Sequence, residues 1–193
     1  MNAEKYIEKL SLEPHPEGGY FKQVYGNDEG GDKALSTIYY LLKDNDFSAF
    51  HKLHDMVEIW YYHAGERLNI YVIDQNGELK VHHLFANNEM QVIIEPEQWF
   101  AAEIPTKNGF TLVGCAVAPA FRFENFELGK REELLKAYPQ HSEVIERLTV
   151  KVNAELTQFN WMLGKDIVDM HAEAKWGASF FETLSRDLKK SFS

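Results

Sequence analysis

The sequence predicts an antiparallel β-sandwich or barrel with helices following it. Three observations carry this. About nine short runs of apolar, β-branched and aromatic residues recur at roughly ten-residue spacing before residue 129. Turn-forming residues separate these runs, with no helical segment between them. Beyond Gly129, apolar residues recur every three or four positions with few turn residues, which is the helical period.

Taken in order, Ala3–Leu10 reads as a short helix broken by the Pro14–Gly19 cluster. Tyr20–Tyr25 and Leu35–Leu42 follow as strands, and the turn-like Lys43–Asp46 ends the second. Phe47–His51 and Glu58–His63 are the next pair. Leu68–Ile73 and Leu79–Phe85 flank Asn76-Gly77, a dipeptide that favours a type I′ hairpin. Gln91–Glu95, Trp99–Ile104 and Thr111–Ala118 complete the strands. Arg131–Ala137 then reads as a helix stopped by Pro139. Leu148, Val152, Leu156 and Phe159 make a helical stripe, and Ile167 to Leu188 continue the pattern after Gly164. The expected division is a barrel domain over 1–148 and a helical tail over 149–193. The tail is expected to pack on the barrel or at a dimer interface.

The bulk properties bound the function. A net charge of −10 with no Lys/Arg cluster argues against nucleic acid. The single cysteine excludes an intrachain disulfide framework and suits a reducing compartment. No window approaches the ~20 apolar residues that a membrane helix needs, and the N-terminus lacks the pattern of a secretory signal. A soluble, cytoplasmic protein without membrane partners is expected.

One stretch, Ser48 to Gly65, carries chemistry. His51 and His54 are followed by Glu58, then by Gly65. These intervals resemble the first motif of the cupin superfamily. The words PHPEGGYF, STIYYLL, EIW, HAG, LVGCAVAP and FENFEL, in that order, resemble one branch of it, the DUF985 or cupin-5 proteins, over roughly residues 5 to 148. The resemblance implies a double-stranded β-helix barrel, usually a dimer, with a small-molecule pocket at its wide mouth. It implies no particular activity.

The same stretch departs from the pattern of metal-binding cupins, in which two histidines at i and i+2 face inward together. Here the spacing is i and i+3, with Leu53 in the place of the second ligand. The second motif would fall at Pro96–Ala101, which has no histidine. The metal set available is therefore His51, His54 and Glu58, with Gln91 as a weak oxygen ligand. One divalent transition metal (Zn, Fe, Mn or Ni) would suit it.

Glu58, Trp60 and Tyr62 share a parity, so one strand face presents a carboxylate and two rings. A buried carboxylate needs a partner, a proton or a metal. His51 beside Glu58, if their strands pair, would make a general acid–base pair. Trp60, Tyr62, Tyr39, Gln91 and Trp99 are the expected ligand-binding residues. His15 and Gly18-Gly19 fit either a site role or a plain turn, and Cys115 reads as a buried small residue. The expected function is a small-molecule cupin, an isomerase, epimerase or lyase acting on a sugar-like or sugar-nucleotide-like ligand. Its rivals are a non-catalytic ligand-binding or storage protein, a metal-dependent oxygenase, and an interaction scaffold built on the tail.

Overall fold

A computed structural model describes residues 2–15, 18–26 and 33–149. The expected elements over residues 150–193 lie outside the described residues. Helix α1 spans Ala3–Leu10. The strands are β1 (Glu13–Pro14), β2 (Tyr20–Tyr25), β3 (Ser36–Lys43), β4 (Phe47–Leu53), β5 (Val57–Gly65), β6 (Leu68–Ile73), β7 (Leu79–Leu84), β8 (Gln91–Ile94), β9 (Trp99–Glu103), β10 (Phe110–Ala118) and β11 (Phe126–Leu128). Helices α2 (Arg131–Ala137) and α3 (Ser142–Arg147) follow, joined through Pro139–His141. Each strand expected from sequence is present, and the two very short ones, β1 and β11, are additions.

The strands form two antiparallel sheets, ordered β1-β2-β3-β10-β5-β8 and β11-β4-β9-β6-β7. Their facing surfaces enclose a core of Tyr40, Leu42, Trp60, Ile70, Phe100 and Val113, among others. Burying each such side chain stabilises the fold by roughly 1.5–3 kcal/mol, which favours closing the sheets on one another.

Both outer faces are also covered in part. Helix α1 begins at Asn2, whose side chain accepts from the Lys5 N–H at 3.3 Å. It ends at Ser11, which is left-handed at φ 52°. Its Ala3, Tyr6, Ile7 and Leu10 pack with Leu41, Leu112 and Phe110 on the outside of the six-stranded sheet. Helices α2 and α3 cover the other sheet, where Leu134, Ile145 and Leu148 meet Phe50, Ile73 and Ala101. The buried Glu103 carboxylate anchors this layer by accepting from Arg147 Nε and the Tyr71 hydroxyl, each at 3.0 Å, and from Lys107.

The β6–β7 hairpin forms as expected but through a different turn. Gly77 N–H donates to the Asp74 carbonyl at 3.0 Å, and Gly77 alone takes positive φ, at 80°. A type I′ turn would require positive φ at Asn76 as well. The Asp74 side chain instead accepts from the Asn76 and Glu78 N–H groups at 2.8 and 2.9 Å, which holds the five-residue loop.

Candidate functional site

The interior side chains come from both sheets. In β4, Ser48 pairs with Ala102 and His51 with Phe100, so three steps oppose two and the strand bulges. The bulge lets Phe47 and Phe50, three residues apart, both join the helical side. His51 turns inward, its ring 4.0 Å from that of Phe100 and 5.5 Å from that of Phe126. In β5 the predicted parity holds: Glu58 and Trp60 are buried, and Tyr62 packs against the inner core.

Strands β4 and β5 do not pair, which corrects the expected side-by-side arrangement of His51 and Glu58. They belong to opposite sheets, so the imidazole and the carboxyl approach the interior from opposite walls. Rings connect them. Phe100 meets Trp60 at 6.3 Å, and Trp60 meets Tyr40 at 5.5 Å, both edge to face. Tyr40 meets His15 at 5.5 Å, and His15 meets Phe21 at 4.7 Å.

His15 is thus a member of this cluster, and the reason lies in the two glycines that follow it. Gly18 and Gly19 take φ of 113° and 72°, and a Cβ on Gly18 would lie 2.1 Å from the Phe47 carbonyl. That close approach lets the loop press on the barrel, where the Tyr40 hydroxyl donates to the Gly18 carbonyl at 2.7 Å. Tyr40 and Phe100 were not legible as members of this interior cluster, because strands apolar on both faces give no alternation to read.

The electrostatics are those of a dry interior. Burial holds the Glu58 carboxyl at a pKa of about 7, well above the usual carboxylate range, although the Trp60 indole N–H and the Cys115 thiol oppose the shift. No described Lys or Arg is buried beside it. The indole N–H lies close enough to influence the carboxyl, but among the described residues it reaches no partner at hydrogen-bond geometry. His51 is pushed down to about 4 by burial, against the bond from its Nδ1–H to the Ala49 carbonyl at 2.7 Å. A carbonyl can only accept, so that bond assigns the neutral tautomer and leaves the lone pair on Nε2. His15 falls to about 3, first through burial and then through the proximity of His51.

Four expected site residues lie elsewhere. His54 follows the end of β4 and turns outward. Its Nδ1 is 2.9 Å from the Glu97 carboxylate and its Nε2 is 3.1 Å from that of Glu127. Tyr39 faces the α1 side, 5.8 Å from His63. Gln91 is exposed on edge strand β8. Trp99 faces the helical layer, with Lys52 Nζ 4.8 Å above its ring. Tyr62 does face inward, but it lies four residues along the strand from Glu58, roughly 13 Å away. There its hydroxyl donates to the Gly65 carbonyl at 2.6 Å.

The set His51, His54 and Glu58 consequently does not fit a metal. Both nitrogens of His54 are held by surface carboxylates, and His51 and Glu58 supply two donors from opposite walls. No group of three His, Cys, Asp or Glu among the described residues is arranged to hold an ion. Replacing His54 by Ala is expected to change stability by no more than about 1 kcal/mol, as for other partly exposed ion pairs. Urea unfolding at neutral pH measures this, and a loss of several kcal/mol would place His54 inside the barrel after all.

Comparison with known proteins agrees with this architecture. The profile of the cupin superfamily family DUF985 matches residues 4–129. A second profile, the DUF1016 N-terminal domain, matches residues 141–193. No protein of curated function matches the chain. A Shewanella oneidensis protein of known structure is 38% identical, with a TM-score of 0.71 over 78% of this chain and 98% of its own. A hypothetical protein from Leishmania major is 30% identical, with a TM-score of 0.70 over 78% of this chain and all of its own. A cupin 2 domain-containing protein from Halorhodospira halophila shares the fold at 15% identity and a TM-score of 0.51, over 73% of this chain and 89% of its own. No helix among the described residues is long and apolar enough to cross a membrane. The profile match and the two closely similar structures establish that the chain belongs to the DUF985 family of the cupin superfamily.

Proposed function

We propose that the barrel interior is a small-molecule site in which Glu58 carries a proton to and from the ligand. One observation carries this reading: a buried carboxyl, with no buried Lys or Arg among the described residues, titrates near 7 opposite a neutral histidine. A group with that pKa exchanges its proton readily at neutral pH, which a general acid–base catalyst must do. His51, with Nε2 as its lone-pair nitrogen, supplies the second acceptor from the facing wall. Two such groups on opposite sides of a ligand suit proton removal and return beside a carbonyl, as in an isomerase or epimerase, or an elimination.

The Trp60 ring is 2% exposed and meets Tyr40 and Phe100. It therefore supports the reading less as a stacking platform than through its N–H. Carboxyl 13C NMR, with Glu58→Gln to assign the resonance, tests the acid–base role directly. The expected midpoint lies near pH 7. A midpoint near the ordinary glutamate value would overturn the reading.

A further inference from the structure

Resting on that acid–base reading, we propose that the ligand portion entering the barrel is uncharged. It is a neutral polyhydroxy or carbonyl compound, bound through one of its oxygens to the Trp60 indole N–H. The donor is the starting point. Trp60 Nε1 is buried without a partner at hydrogen-bond geometry among the described residues, and an unsatisfied buried donor is costly enough that native interiors rarely leave one. Trp60 faces Cys115 in register across β5 and β10, and both groups lie beside the Glu58 carboxyl. A ligand oxygen set between Trp60 and Glu58 would accept from the indole and engage the carboxyl at once.

The charge of that oxygen follows from what surrounds it. No Lys or Arg among the described residues is buried. Lys52, on the same strand as His51, points outward over Trp99 and toward Glu97 and Glu127. The three described α-helices pack on outer faces, so none of them directs its N-terminus inward. The rings linked to Trp60 are those of Tyr40, Phe100, Phe21 and the imidazoles of His15 and His51, which burial keeps neutral. A phosphate or carboxylate would enter this dry layer beside Glu58 with no counter-charge, which is strongly unfavourable. An ammonium group would satisfy the carboxyl but leave the indole donor unmet.

Matched sets of sugars and polyols test this: D-glucose with D-glucose 6-phosphate and D-gluconate, and D-glucitol with N-methyl-D-glucamine, whose amine stays protonated at pH 8, together with ribose and fructose and their phosphates. Binding to the full chain is measured by thermal shift and calorimetry at pH 8. At least one neutral member is expected to bind about tenfold or more tighter than its charged partners. Trp60→Phe, which keeps a ring but removes the N–H, is expected to weaken that binding about tenfold, the typical value of one hydrogen bond. The wild-type charge preference stands as an independent readout if that variant folds poorly. A charged member that binds as well as its neutral partner overturns the inference, as does the absence of any binding. The Glu58 titration separates the two failures. With a midpoint near 7 and no neutral sugar bound, the ligand class falls while the acid–base site stands. With an ordinary midpoint, both fall.

Discussion

Replacing Glu58 by Gln is expected to stabilise the protein by about 3 kcal/mol above pH 7 and to change it little below pH 4.5. The carboxyl titrates near 7 in the folded protein and at 4.5 in the free side chain, and each unit is worth ~1.4 kcal/mol. Folding therefore raises this group's proton affinity. Its contribution is fully present below pH 4.5, declines as the unfolded carboxyl ionises, and reaches its full cost once the folded one ionises as well. Glutamine keeps the shape and cannot ionise. Urea unfolding of both proteins at pH 4.5, 6 and 8 measures the difference, in which contributions from other groups largely cancel. Equal stability at all three values would mean that water or a counter-ion reaches Glu58. A group whose ionised form weakens the fold at neutral pH is hard to explain by packing alone, which supports the site role proposed for Glu58.

His51→Phe is expected to reverse its effect on stability with pH. The folded imidazole titrates near 4 against 6.5 when free. Acid therefore protonates the unfolded chain first, and wild-type stability falls by ~1.4 kcal/mol per unit below pH 6.5. Phenylalanine keeps the ring beside Phe100 but loses the bond to the Ala49 carbonyl, which costs about 1 kcal/mol at every pH. The variant should be about 1 kcal/mol less stable at pH 7.5 and about 2 kcal/mol more stable at pH 4.5, with the curves crossing near pH 6. Parallel curves would mean that His51 is solvated enough to charge without penalty.

How much of this could be read from the chain depended on how many faces of each strand are buried. In β5, exposed Tyr61 alternates with buried Trp60, and the inward placement of Glu58 and Trp60 followed from parity. In β3, Tyr39 and Tyr40 are adjacent tyrosines, one under α1 and one inside the barrel. Both faces are apolar, so alternation carried no signal, and Tyr39 was expected inside the barrel where the structure places Tyr40. Trp99 failed for the same reason, since the helices that bury its face lie some thirty residues further along the chain. Gln91 failed differently: its alternation with Val92 was there to be read, and its polarity suggested a ligand when it marks the solvent side. The bulge before His51 has no sequence signature, yet it decides that His51 points inward. The Gly18-Gly19 pair was visible as a signal, but only the backbone contact with Phe47 explains why it matters.

The division of the site between two sheets has a consequence for how it could be altered. Within one sheet, hydrogen-bond registry holds the Cβ atoms of directly opposed residues about 4.5–5.5 Å apart. Between sheets, the gap is set by whatever fills it. Here the filler includes Phe100, which touches His51 on one side and Trp60 on the other. The span from imidazole to carboxyl is thus governed by side-chain volume in the core, so trimming or enlarging that one ring would retune the proposed site without moving either titrating residue from its strand.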